Sequence, residues 1–99
     1  MKILLVCNAG MSTSMLVSRM QKEAANRGLD ITIEAKPVTE AEKELNDWDI
    51  VMLGPQVRHM LKALEKNANG TPIEVINMRS YGLMDGKAVL DDALKALNK

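Results

Sequence analysis

With 99 residues and no net formal charge, the chain has the length of one domain rather than two, and it lacks the basic excess of a protein that neutralises nucleic-acid phosphates. Apolar residues make up 46% and charged residues 26%, an ordinary balance for a water-soluble globular protein, and no apolar run approaches the ~20 residues of a membrane span. Residues 1–99 are therefore read as a single domain with no direct membrane insertion and no nucleic-acid partner. Only Trp48 and Tyr81 are aromatic, so the expected core is one of Leu, Ile, Val, Ala and Met. The one cysteine, Cys7, cannot close an internal disulfide, which fits a reducing cytoplasm better than export.

Residues 3–6 (ILLV) form a short continuous apolar run, the mark of a strand covered on both faces; the polar residues that follow at once argue against a leader segment. Residues 13–27 have helical periodicity, with Leu16, Val17, Met20 and Ala24 on one face, and Gly28 supplies a left-handed stop. Over residues 30–36, Ile31, Ile33 and Ala35 alternate with polar residues, as in a strand with one polar face, which Pro37 interrupts. Thr39 and Glu42 have the spacing of a capping box opening a short polar helix. A third strand spans 49–53 and stops at Gly54-Pro55. Val57, Met60, Leu61 and Leu64 then recur at helical spacing up to Asn69-Gly70. Residues 72–76 read as a fourth strand. A loop carrying Tyr81, Gly82 and Gly86 leads to a last helix with Leu90, Ala93, Leu94 and Leu97 on one face, and Asp85 is placed to cap it.

Strand and helix thus alternate four times. Parallel strands need crossover connections, so this alternation predicts an α/β fold: a four-stranded parallel sheet, order 2-1-3-4, with helices on both faces. Ligands of such sheets bind beyond the carboxyl ends of the strands, near the point where strand order reverses. That point lies just after the first strand, where Cys7-Asn8-Ala9-Gly10-Met11-Ser12-Thr13-Ser14 runs into the first helix.

A helix amino end combines unsatisfied N–H groups with the positive pole of the helix dipole, and both favour an anion. Backbone amides of the loop, with the hydroxyls of Ser12, Thr13 and Ser14, form a plausible phosphate cradle, and Gly10 permits the tight backbone path. The same field stabilises a thiolate at Cys7 and makes it a nucleophile. Two plainer readings stand beside this one. A cysteine ending a buried strand also serves as a small apolar residue, and one of the three hydroxyl residues is expected to be the helix N-cap whatever else it does.

Met11 stands in this polar stretch either as an adaptable contact for partners or as a cover folded over the loop. Pro55 and Gln56 should lie beside the Cys7 loop, because neighbouring strands end together; with Tyr81 they are candidates for a partner-facing rim. His59 falls inside the third helix beside apolar residues and reads as a non-catalytic, partly exposed histidine. Arg58, Lys62 and Lys66 form a basic stripe that reads as a solvated face. No cluster has metal-ligand spacing, and no cofactor is expected.

The loop C-N-A-G-M-S-T-S, its continuation Met15-Leu16-Val17, the run Leu53-Gly54-Pro55-Gln56, and the pairs Tyr81-Gly82 and Asp85-Gly86 together resemble enzyme IIB proteins of the lactose/cellobiose/diacetylchitobiose class of bacterial sugar phosphotransferase systems. The resemblance covers essentially the whole chain. It implies a cytoplasmic phosphocarrier whose cysteine, at the position of Cys7, accepts phosphate from a phosphohistidine on enzyme IIA. It also implies transfer onward to a sugar, such as a β-linked disaccharide, on the membrane component IIC. The implied fold resembles low-molecular-weight tyrosine phosphatases. Those enzymes carry C-x-x-x-x-x-R, whereas the arginine position here holds Thr13, so the thiol and the anion cradle are kept without the guanidinium clamp. A small cysteine phosphatase or arsenate reductase, a non-enzymatic regulatory module, and the mannitol, galactitol or ascorbate branches are the competing readings. The M-S-T-S run and L-G-P-Q favour the cellobiose-like branch, and the sequence does not name the sugar.

Overall fold

The computed structural model describes residues 1–7 and 11–97, with Met11 and Ser12 described by their backbone. Four strands, β1 (Lys2–Cys7), β2 (Thr32–Pro37), β3 (Ile50–Leu53) and β4 (Ile73–Val75), form one parallel sheet in the order β2-β1-β3-β4. The helices are α1 (Met11–Asn26), α2 (Val38–Ala41), α3 (Leu61–Asn67), α4 (Met78–Gly82) and α5 (Gly86–Ala96), with 3-10 turns at Leu45–Asp47 and Pro55–Met60. The predicted strand order is the observed one.

The period of two along the central strands divides the core into two layers. Ile3 and Leu5 of β1, with Ile50 and Met52 of β3, meet Leu16, Met20 and Ala24 of α1 and Val89, Leu90 and Ala93 of α5. Leu4, Val6, Val51 and Leu53 point to the other face, where Ala41, Leu45, Trp48, Val57 and Leu64 cover them. Every residue from Ile3 to Cys7 is fully buried, as a strand with a helical layer on each side requires. Among the described residues no helix is long and apolar enough to cross a membrane.

Several local readings are corrected. Thr39 and Glu42 do not form a capping box. β2 pairs through Pro37, opposite Cys7, and passes directly into α2, so Pro37 occupies the N-cap position and Glu42 stands at the carboxyl end. Proline is tolerated there because β2 is an edge strand. The expected third helix is divided: Pro55–Met60 winds as a 3-10 turn and α3 follows. Val57 causes the break, since it is fully buried at φ −117°, ψ 16° and its N–H donates to the Gly54 carbonyl at 2.9 Å. Tyr81 lies in α4 rather than in a loop. Asn77 caps that helix, its Oδ1 accepting from the amides of Arg79 (2.9 Å) and Ser80 (3.2 Å). Asp85 caps α5 as expected, accepting from the Ala88 amide at 3.0 Å.

Trp48 enters the core despite the aliphatic composition. Its indole N–H donates to Glu44 Oε1 at 3.0 Å, and Lys2 Nζ lies 4.7 Å from the ring centroid. Glu44 Oε1 also meets Lys36 Nζ at 2.6 Å. The hydrogen bond from Lys36, then that from Trp48, holds the Glu44 carboxyl below the usual carboxylate range, while the bond to Glu44 raises Lys36 above the usual lysine value. A depressed carboxylate stabilises the fold fully above its unfolded pKa and loses that contribution as pH falls through the folded value. A raised lysine does the converse on the alkaline side, its contribution fading as pH climbs through the raised value. Glu44→Gln is therefore expected to flatten the acid limb of a plot of melting temperature against pH. An acid limb identical to wild type would show that the pair contributes nothing.

Candidate functional site

The carboxyl ends of three strands are tied together by backbone hydrogen bonds. The Gly54 amide donates to the Val6 carbonyl at 2.9 Å, and the Ile76 amide donates to the Leu53 carbonyl at 2.8 Å. The segments that follow β1, β3 and β4 consequently start side by side. Each contributes one polar side chain to a common cluster. Gln56 Nε2 donates to the Tyr81 hydroxyl at 2.9 Å, and Thr13 Oγ1 lies 3.4 Å from that same hydroxyl.

Cys7 is the last residue of β1 and is fully buried. Three residues separate it from Met11, the first residue of α1, so backbone reach keeps the two Cα atoms within about 14 Å. Burial alone suits an apolar cysteine as well as a nucleophile. Thr13, in the first turn of α1, is the one fully buried polar side chain among the described residues, and its hydroxyl lies at the amino end of that helix. A helix start favours an anion, and this one, with the buried Thr13 hydroxyl in its first turn, follows Cys7 closely in the chain.

Gln56 is exposed, and its amide lies over Gly54. Its Oε1 lies where a Cβ added to Gly54 would come within 2.7 Å, so a side chain at position 54 would displace the amide. Tyr81 is half-buried against the α1/α5 layer, and its backbone N–H donates to the Asn77 carbonyl at 2.9 Å. Arg19 joins α1 to the turn after α4, donating to the carbonyls of Met84 (3.1 Å) and Leu83 (3.4 Å).

Of the residues expected at the site, Thr13, Gln56 and Tyr81 are brought into one hydrogen-bonded group, and Pro55 starts the 3-10 turn beside it. Asn8, Ala9 and Gly10 lie outside the described residues. Met11 and Ser12 open α1, which begins two residues earlier than its periodicity suggested, so Met11 is helical rather than part of a loop. Ser12, Thr13 and Ser14 accordingly stand inside the first turn, and none of them is the N-cap. Ser14 is exposed. His59, Arg58, Lys62 and Lys66 are all exposed, His59 in the 3-10 turn and not within α3.

Two features were missed. The bonding of Gln56 to Tyr81 joins the connection after β3 to the segment after β4, and no local pattern announces it. Met15, Met78 and Leu83 are 55%, 63% and 62% exposed on or just beyond α1 and α4, the elements that carry Thr13 and Tyr81. A period-3.6 reading of α1 shows Met15 off the buried face, which was the available signal.

A family model described as the lactose/cellobiose-specific IIB subunit of the PTS system matches residues 2–92. The chain is 44% identical over 103 residues to the cellobiose-specific EIIB component of the PTS system from Lactococcus lactis subsp. lactis (strain IL1403), with 97% of this chain and 95% of the relative covered. It is equally similar, 44% over 103 residues with the same coverage, to the galactose-specific EIIB component from Lactococcus lactis subsp. cremoris (strain MG1363). The solution structure of a cellobiose-specific phosphotransferase IIB component from Borrelia burgdorferi superposes with a TM-score of 0.82 at 47% identity, covering 99% of this chain and 92% of that one. IIB domains have the low-molecular-weight tyrosine phosphatase-like fold, and the sheet order found here agrees with it. The chain belongs to the lactose/cellobiose-specific IIB subunits of the sugar phosphotransferase system.

Proposed function

We propose that this IIB subunit is a cytoplasmic, single-domain phosphocarrier in which Cys7 takes a phosphoryl group from a phosphohistidine on enzyme IIA and gives it to a sugar on the membrane component IIC. The observation that carries this reading is the position of Cys7 at the end of a central strand, followed in the chain by the helix whose first turn holds the buried Thr13 hydroxyl. In the first step the Cys7 thiolate attacks phosphorus in line. The S–P bond forms as the P–N bond breaks, and the imidazole of IIA departs with the electron pair. In the second, a sugar hydroxyl attacks the same phosphorus, the thiolate leaves, and the hydroxyl proton is released. Charge developing on the equatorial oxygens is met by the amides of residues 8–14 and by the Ser12, Thr13 and Ser14 hydroxyls, so no cofactor is needed.

Thr13 at the sixth position after Cys7 supports a carrier over a phosphatase. An arginine there would hold a phosphoester strongly enough to favour hydrolysis of the intermediate. Met15, Met78 and Leu83, exposed on or next to the helices that carry Thr13 and Tyr81, fit a protein partner at this end of the sheet. Pro55, Gln56 and Tyr81 would form the rim of that contact, with Met11 touching IIA and IIC in turn. Among candidate sugars a β-linked disaccharide such as cellobiose or chitobiose is favoured. Equal identity to cellobiose- and galactose-specific relatives fits a subunit that leaves the choice of sugar to IIC.

The test is intact mass after incubation with phosphoenolpyruvate, enzyme I, the histidine phosphocarrier and a cellobiose-class IIA. One added phosphoryl group, present only when IIA is included, is the expected result. A folded protein that takes no phosphate from several such IIA proteins, yet turns over p-nitrophenyl phosphate, would replace the carrier by a phosphatase.

A further inference from the structure

The turn between α3 and β4 takes its shape from two residues. Asn69 and Gly70 have φ of 48° and 99°, and the Thr71 amide closes the turn on the Ala68 carbonyl at 3.0 Å. Positive φ at both central positions marks a type I′ turn, for which asparagine followed by glycine is a preferred pair. Both residues are exposed. Asn69 is the one asparagine of the chain that precedes a glycine. Elsewhere the carboxamides are engaged: Asn46 Oδ1 accepts from the Thr71 hydroxyl at 3.1 Å, Asn67 Nδ2 donates to the Ala63 carbonyl at 3.4 Å, and Asn77 caps α4. Neither the Asn69 carboxamide nor the Gly70 N–H is hydrogen-bonded to another described residue.

We propose that Asn69 is a site of spontaneous deamidation, through which ageing chains acquire aspartate and isoaspartate just past the carboxyl end of α3. Base removes the Gly70 amide proton, and the nitrogen attacks Asn69 Cγ. A new C–N bond closes a five-membered succinimide as the carboxamide C–N bond breaks, and the leaving nitrogen takes up a proton and departs as ammonia. Water then adds to either ring carbonyl and opens the ring to aspartate or isoaspartate. Glycine in the following position leaves the attacking nitrogen uncrowded, since it has no Cβ. Ring closure requires Asn69 to leave the left-handed well, so it proceeds from the opened turn. Opening breaks hydrogen bonds of Thr71 alone, at an exposed site, which makes it a low-cost local event. Asp85-Gly86 has the same glycine but is locked: Asp85 Oδ1 holds the Ala88 amide at 3.0 Å, and Gly86 is buried with its N–H on the Met84 carbonyl at 3.0 Å. The Asn69 turn precedes β4, which in a parallel sheet is the end opposite Cys7, so the modification is separate from the carrier site.

The test compares the native protein with a synthetic peptide of residues 65–74, both held in mildly alkaline buffer at physiological temperature and followed by mass and peptide mapping. The peptide has no folded turn to open and reports the intrinsic rate. The native chain is expected to convert about tenfold more slowly than the peptide, the worth of the bonds that close the turn. Isoaspartate should exceed aspartate at position 69, and none should form at position 85. Asn69→Gln should lose the mass gain, because its longer side chain would have to close a six-membered ring. A native chain that stays unmodified after the peptide has converted would overturn the proposal. So would a gain that maps to another asparagine, or one that persists at the wild-type rate in Asn69→Gln.

Discussion

Cys7→Ser is expected to abolish phosphoryl uptake while leaving the protein folded. The substitution replaces one sulfur by oxygen, keeps the loop sequence, and tests the thiol alone. A thiol is partly ionised near neutral pH and is intrinsically nucleophilic; a serine hydroxyl needs a general base beside it. Among the described residues the one histidine, His59, is exposed on the 3-10 turn after β3 and takes no part in the Thr13–Tyr81–Gln56 cluster, so the serine has no such base. The loss expected for removing a nucleophile is on the order of 10⁴-fold or more, which puts uptake below detection in the intact-mass assay. Stability should fall by only about 1–2 kcal/mol, because a small hydroxyl replaces a small thiol in a buried position. Urea unfolding distinguishes that modest change from a loss of fold. A serine variant that gains phosphate from IIA at the wild-type rate would show that the acceptor is another residue.

Among the described glycines, Gly86→Ala is expected to be the most destabilising single-methyl substitution, by about 2–3 kcal/mol. A Cβ at position 86 would meet the Arg19 carbonyl carbon and the Met20 amide nitrogen, each at 2.7 Å. These are backbone atoms inside a helix and cannot rotate aside. α5 would have to lift off α1, loosening the contacts that Val89, Leu90 and Ala93 make with the α1 face and the sheet. The measurement is the urea midpoint, which should drop with little change in slope. Gly82→Ala is the control, since nothing lies within 4 Å of the Cβ it would gain. Similar midpoints for the two variants would refute the close-approach explanation.

The sheet was legible because its strands obey simple periods. ILLV reads as a strand covered on both faces, and 31–35 as one with a polar face, and that is where they sit. Helix interiors were legible for the same reason: Leu16, Val17, Met20 and Ala24 are all buried. What failed was local and short. The Thr39–Glu42 spacing is a valid capping pattern, but β2 runs on through Pro37 to keep its register with Cys7, and tertiary pairing overrode the local signal. α4 has five residues, too few for periodicity, and only Asn77 hinted at it. The strand-end position of Cys7 and the nearness of Gln56 to its loop could be reasoned from topology. The meeting of Gln56, Tyr81 and Thr13 could not, since it depends on side chains from the segments after three different strands reaching one point.

The central place of β1 carries a consequence for how the chain is made. β1 is synthesised before both of the strands it pairs with: Ile3 pairs with Ile33 on one side and with Ile50 on the other. At ordinary translation rates of about 5–20 residues per second, β1 would wait for several seconds before β3 emerges. Until β3 has emerged, this apolar strand keeps at least one edge without its partner. Such a segment is a template for pairing with another nascent chain. Its brevity and the flanking Lys2 are the features that restrain this, which makes the amino-terminal strand, as well as the site at its end, a place where substitutions toward greater apolar character should lower the yield of soluble protein.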